Sequence, residues 1–196
     1  KEMRDLGVSH ALCISVDLAA AAKALALATA HENFYASVGV HPEHESASPV
    51  DRDQLVELAR EPRVIAIGET GLDYYRSTGD LEWQRRRFRT HIQAARRSGK
   101  PLVIHTRDSA EDTLRIMHEE GAAEVGGVMH CFTESHQVAE AARDMGFLIS
   151  FSGIVTFRNA VALKEVARRV PLESLLVETD APFLAPVPHR GKVNQP

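Results

Sequence analysis

Apolar and polar positions along the chain fall into two alternating kinds of segment. Seven short runs are apolar on both faces: ALCISV from Ala11, FYASVGV from Phe34, VIAIGET from Val64, LVIHTR from Leu102, GGVMHCF from Gly126, FLISFSG from Phe147 and LLVETD from Leu175. Rich in β-branched residues and without strict alternation, they read as parallel strands covered by helices. Between them the apolar positions recur at helical spacing. In LEWQRRRFRTHIQAARRSG, residues Leu81, Phe88, Ile92 and Ala95 form one stripe, and Gly99 is placed to end the helix. SHQVAEAARDMG repeats the pattern, with Ser135 as N-cap and Gly146 as stop. Alternating strands and helices predict an α/β fold.

Spacing narrows the architecture. Polar residues end the successive strands at Val16/Asp17, His41, Glu69, His105, His130, Ser152 and Asp180, in steps of 25, 28, 36, 25, 22 and 28 residues. A (β/α)8 TIM barrel has about 31 residues per unit and collects reactive side chains at the C-terminal ends of its strands. A doubly wound sheet does not place them on so many consecutive strands. The expectation is one barrel domain over residues 1–196, with the first strand and last helix lying outside this sequence. The KEMRDLG opening reads as a helix end, EHESASPVDRD as a βα loop, and PHRGKVNQP as an irregular loop.

Composition changes little in this picture. Hydrophobic residues make up 44% of the 196, enough for a sizeable core, and no apolar run is long enough to span a bilayer. The opening is polar, without the pattern of a signal peptide. Cys13 and Cys131 form neither a disulfide framework nor a zinc cluster, so a cytoplasmic protein is expected. With a net charge of −4, no overall basic field points to duplex DNA. No obligate protein partner is evident.

The strand ends carry the chemistry. Glu69, His105, His130 and Asp180 would converge on one rim, two imidazoles and two carboxylates suited to Zn²⁺, Mn²⁺ or a similar ion. Leu175–Val177 reads as the start of a buried strand. A carboxylate such as Asp180 buried at its end costs several kcal/mol unless something compensates, and a cation would do so. Alternation puts Leu176, Glu178 and Asp180 on one face, with Glu178 a layer lower, where it can orient a metal-binding histidine. The same alternation places Cys131 with Met129 under the helices, as a core thiol.

VGVHP, IGETGLDYYR, PLVIHTRDSAEDT, HCFTES, SFSGIVTF and ETDAPFLAPVPHRGKVNQP together resemble the TatD family of metal-dependent deoxyribonucleases, in order and spacing, from about Val8 to Pro196. The resemblance implies two divalent ions (Mg²⁺, Mn²⁺ or Zn²⁺). Glu69 would bridge them, His105 and His130 would hold one, and Asp180 would bind the other and act as general base. The family's further H-x-H histidine pair belongs to the first strand, outside this sequence. The implied substrate is single-stranded DNA, shortened from its 3′ end. Arg107, Arg190 and Lys192 are expected to hold phosphates, Tyr74 or Tyr75 to stack a base, and His41 to touch substrate or water at the metal. Asp73 and Asn194 match family positions, without a role that spacing assigns. His44, in the HPEH loop, fits either the cleft or the surface, and His189, beside Arg190, is expected to line the cleft; His10, His31, His91, His118 and His136 are expected at the surface. Glu134 stands where the family commonly has Gly, adding bulk and negative charge that bear on substrate preference.

Two other functions fit parts of this pattern. Amide or ester hydrolases on the same barrel, including an aminoacyl-tRNA deacylase, often bridge two metals with a carbamylated lysine. Lys100 precedes its strand and Lys164 is helical, so Glu69 fills that place. A non-catalytic scaffold would not require all four ligands.

Overall fold

The computed structural model describes residues 2–44 and 50–196; positions 45–49 of the expected βα loop lie outside the described residues. Seven parallel strands form one sheet in sequence order: β1 (Ala11–Cys13), β2 (Phe34–Val38), β3 (Val64–Asp73), β4 (Leu102–Arg107), β5 (Gly127–Met129), β6 (Phe147–Phe151) and β7 (Leu175–Val177). The order never reverses, as it must at the switch point of a doubly wound sheet. It is the order of a barrel wall.

Helices connect the strands: α1 (Glu2–Asp5) precedes β1, and α2 (Leu18–Ala30), α3 (Arg52–Leu58), α4 (Glu82–Ser98), α5 (Ala110–Glu119), α6 (His136–Asp144) and α7 (Val161–Arg169) follow β1 to β6 in turn. Asp17, Asp51 and Ser135 cap α2, α3 and α6 by accepting a backbone N–H. Gly99 closes α4 in the left-handed region, at φ 65°. Its inner stripe, with Phe88, Ile92 and Ala95 fully buried, packs with Ile67, Leu72, Leu102 and Ile104 of the sheet. This layer between helices and sheet is the main core.

A bulge re-aims β3. Ile67 pairs with Leu102 and Thr70 with Ile104, so two residues on β3, Gly68 and Glu69, oppose one on β4, Val103. Both Ile67 and Leu72 belong to the core shared with the helices, which strict alternation would forbid. The slip turns Glu69, Gly71 and Asp73 toward the barrel interior. Only glycine fits at 71, because a Cβ there would lie 1.9 Å from the His105 carbonyl oxygen, at φ +128°. β3 and β4 can therefore approach closely at the level of the site.

In this chain the apolar run of β7 is partly exposed, where a buried strand is expected. Leu176 is 41% exposed and Val177 79%. β7 pairs only with β6, and among the described residues nothing covers its other edge. Among the described residues, no helix is long and apolar enough to cross a membrane.

Candidate metal centre

Glu69 is the pivot of the site. Its amide donates to Ser15 O at 3.0 Å. The buried Ser15 hydroxyl in turn accepts from Gly39 N at 3.0 Å, locking β1, β2 and β3 together beneath it. Three imidazoles surround its carboxylate oxygen Oε1: His105 Nδ1 at 3.2 Å, His41 Nε2 at 3.5 Å and His130 Nε2 at 3.8 Å. Asp180 Oδ1 lies 3.5 Å from His130 Nε2. The burial cost falls chiefly on Glu69, 7% exposed. Asp180, expected to be buried, keeps a side chain 31% exposed, because the chain has left β7 and turned into the left-handed region at φ 53°.

Hydrogen bonds decide which nitrogen of each ring has a free lone pair. His105 Nε2–H donates to Asp73 Oδ2 at 3.0 Å, leaving Nδ1 to face Glu69. His130 Nδ1–H donates to Glu178 Oε2 at 2.9 Å, leaving Nε2 to face Asp180 and Glu69. Each ring thus has the carboxylate partner that orients metal-binding histidines. His41 differs. Its Nδ1 accepts from Glu43 N–H at 3.2 Å, so the neutral ring carries its proton on Nε2, aimed at Glu69. Proximity alone would group His41 with Glu69 and His105, and Glu178 with His130 and Asp180. The hydrogen bonds make His41 a donor and Glu178 an orienting partner.

The cluster gathers protons wherever positive charge is favoured. Burial disfavours a charged His105, but Asp73 and Glu69 outweigh it and carry its pKa up to about 9. For His130, burial is outweighed by Asp180, Glu178 and Glu69, and the pKa rises to about 10. Burial would raise the Glu69 carboxyl, but bonds from His105 and His41 hold it well below the ordinary carboxylate range. A buried anion and two inward lone pairs are a donor set that a divalent cation fits, in place of those protons.

Asp73 and Glu178 are expected to matter through the rings they hold. Asp73→Asn or Glu178→Gln should weaken divalent-metal binding by about 10–100-fold while the fold survives. Competition against a chromophoric chelator measures this, and unchanged affinity would remove both from the site.

A cleft of about 970 Å³ opens over the cluster, lined by His41, Glu69, Tyr75, His105, Arg107, His130 and Asp180. Tyr75 is 62% exposed, with the Arg107 guanidinium 3.9 Å above its ring. Tyr74 packs instead, its hydroxyl donating to Asp112 at 2.6 Å. Arg190 rests on the Phe157 ring at 3.6 Å, and His189, Arg190 and Lys192 are exposed outside the cleft lining. His44 lines the cleft. Asn194 ties the C-terminal loop to the Asp180 turn, its amide group donating to Thr179 O and its backbone N–H to Pro182 O.

Besides His189, which is expected in the cleft but lies outside its lining, three expectations need correction. Cys131 lines the cleft, since β5 ends at Met129 and a φ of 46° at Cys131 breaks the alternation. Burial pushes its thiol up to about 12. His91 is fully buried inside α4, on the stripe of Phe88 and Ala95. His136 is half-buried. Sequence reasoning left Asp73 without a role and passed over Gln84. That side chain, fully buried, bonds the Asp73 backbone at both ends, accepting from N at 2.9 Å and donating to O at 3.1 Å. A signal for Asp73 was present, because it stands four residues beyond Glu69 and so shares its face.

The family model for TatD related DNase matches residues 1–196. The chain belongs to this family. An uncharacterized metal-dependent hydrolase, YcfH of Escherichia coli (strain K12), is 54% identical over 165 residues, which cover 84% of this TatD-family chain and 62% of that protein. The chain therefore spans under two thirds of that relative. A Salmonella typhimurium relative named 3'-5' ssDNA/RNA exonuclease TatD is 36% identical, covering 92% of this chain and 70% of that protein. The crystal structure of YJJV, a TatD homolog from Escherichia coli, superposes with a TM-score of 0.88 at 31% identity, covering 97% of this chain and 74% of that one. Its likeness establishes the TatD-type barrel fold.

Proposed function

We propose that this TatD-family protein is a divalent-metal-dependent phosphodiesterase that shortens single-stranded DNA from its 3′ end in the cytoplasm. The observation that carries this reading is the buried Glu69 carboxylate faced by the free lone pairs of His105 Nδ1 and His130 Nε2, with Asp180 beside them. Glu69, His105, His130 and Asp180 would hold two divalent ions. Ions at that position supply positive charge to the phosphoryl oxygens and acidify water. Asp180, the more exposed carboxylate, takes the proton from the attacking water. His41 donates from Nε2 to a substrate oxygen above Glu69. Arg107 offers its guanidinium to a phosphate and Tyr75 the ring face turned away from Arg107 to an unpaired base, and Arg190 and Lys192 act on more distant phosphates. The Salmonella relative's name supports the substrate class and direction.

Glu134 favours a second reading. It lines the same cleft with Asp108, half-buried, and burial raises its carboxyl, as does Asp108. An ester carrying a free amine, as on aminoacyl-tRNA, would suit this acidic wall better than a phosphate chain. The test incubates the purified protein and its Asp180→Asn and Glu134→Gly variants with 5′-labelled single-stranded DNA, with and without Mn²⁺ or Mg²⁺. Metal-dependent shortening from the 3′ end, absent in Asp180→Asn and faster in Glu134→Gly, is expected. Intact DNA beside deacylated aminoacyl-tRNA would establish the second reading.

A further inference from the structure

α4 carries polar side chains on its buried side, and two of them reach the loop that follows β2. Val40 is 2% exposed, and its N–H donates to His91 Nε2 at 3.0 Å. His91 Nδ1–H donates to Arg87 O at 2.8 Å, one turn back on α4. The imidazole is fully buried, and it must be neutral, because only a lone pair on Nε2 can accept from the Val40 amide. One turn nearer the helix start, Arg87 donates to His44 O at 2.7 Å and His41 O at 3.4 Å, with its guanidinium over the Trp83 ring at 4.9 Å. The far side of the loop is held by His41 N–H, which donates to Val16 O at 2.9 Å. Residues 40, 41 and 44 are therefore bonded through their backbones, with His41 projecting between the attachments. Its ring lies edge-on to His105 at 4.6 Å between centroids, and its Nε2 reaches Glu69.

We propose that His91 is a positioning residue for the centre: through the Val40 amide it fixes the loop that aims the His41 Nε2–H at Glu69. Among the described residues, no other side chain is bonded to that amide. A buried N–H without a partner is costly enough that the loop would shift to find water. A displacement near 1 Å at His41 would take its donor out of range, and misplacements of that size cost up to about 100-fold in rate. The bearing on turnover rests on the phosphodiesterase reading; the bearing on His41 placement does not.

The experiment compares wild type, His91→Leu and His91→Gln. Gln keeps an acceptor at the reach of Nε2, and Leu does not. In the metal-free protein, the ring-to-ring nuclear Overhauser effect between His41 and His105 should be present in wild type and His91→Gln and lost in His91→Leu. Should the Leu variant fail to fold, His91→Asn carries the same expectation, since its shorter amide stays near Arg87 O and cannot reach Val40. An undiminished ring contact without the acceptor would overturn the proposal. Hydrolysis of single-stranded DNA gives the second readout. His91→Leu should lower kcat about tenfold with KM and metal content unchanged, and His91→Gln should restore most of it. Added to His41→Ala, His91→Leu should cost nothing further. Multiplying losses would overturn the positioning role. A protein that hydrolyses no phosphodiester would defeat the functional reading, leaving the ring contact to decide this one.

Discussion

Glu69→Gln is expected to abolish metal uptake and, with it, hydrolysis. The substitution keeps size and shape but removes the anion around which His105, His41 and His130 are gathered at 3.2, 3.5 and 3.8 Å. Removing a partner that only orients a ligand already costs about 10–100-fold in affinity. Losing the carboxylate proposed to bridge the ions should exceed the upper end of that range. Turnover of any phosphodiester should fall by about 100–1,000-fold, the scale seen when a principal group stabilising transition-state charge is removed. Metal content after dialysis against Mn²⁺ or Zn²⁺ gives the direct reading, and circular dichroism establishes that the barrel is intact. A variant that keeps full metal content would place the centre elsewhere.

The metal-free protein should lose stability as the pH rises, and bound metal should remove that dependence. His105 and His130 are raised to about 9 and about 10 by the carboxylates around them, against the ordinary value of about 6.5. A group with a raised folded pKa binds protons more tightly in the folded state. Its contribution is complete below pH about 6.5 and disappears as the pH climbs through about 9 to 10. With chelator present, Tm should therefore fall by roughly 5–10 °C between pH 6.5 and 10, the shift that a few kcal/mol produces in a domain of this size. With Mn²⁺ or Zn²⁺ at saturation the rings would be neutral ligands, and the alkaline loss should vanish. Scanning calorimetry across this range, with and without chelator, checks the sign. A metal-free Tm that is flat or rises would contradict the arrangement.

Much of the fold was legible because it rests on local pattern. The seven apolar runs all became strands, the stripe of Phe88, Ile92 and Ala95 became the buried face of α4, and Gly99 and Ser135 ended and capped helices as their chemistry dictates. What escaped depends on contacts distant in sequence or on breaks in periodicity. The slip between Ile67 and Thr70 is set by pairing with β4. The left-handed turns at Cys131 and Asp180 end the alternation that had put one under the helices and the other in a buried strand. His91 lay on the apolar stripe of α4 and could have been read as buried, but its partner is 51 residues away. Alternation alone put Glu178 within reach of a strand-end histidine, and it bonds His130; alternation likewise put Asp73 on the face of Glu69, but its partner His105 follows only from the pairing of β3 with β4.

The central claim is that Glu69, His105, His130 and Asp180 form one divalent-metal centre. It is tested most directly by anomalous diffraction from crystals of the protein grown with Mn²⁺ or Zn²⁺. The account predicts metal density against Glu69, with His105 Nδ1, His130 Nε2 and an Asp180 oxygen at about 2.0–2.2 Å for zinc, and His41 outside the coordination sphere. Density bound through His41 Nε2, or found away from Glu69, would contradict it.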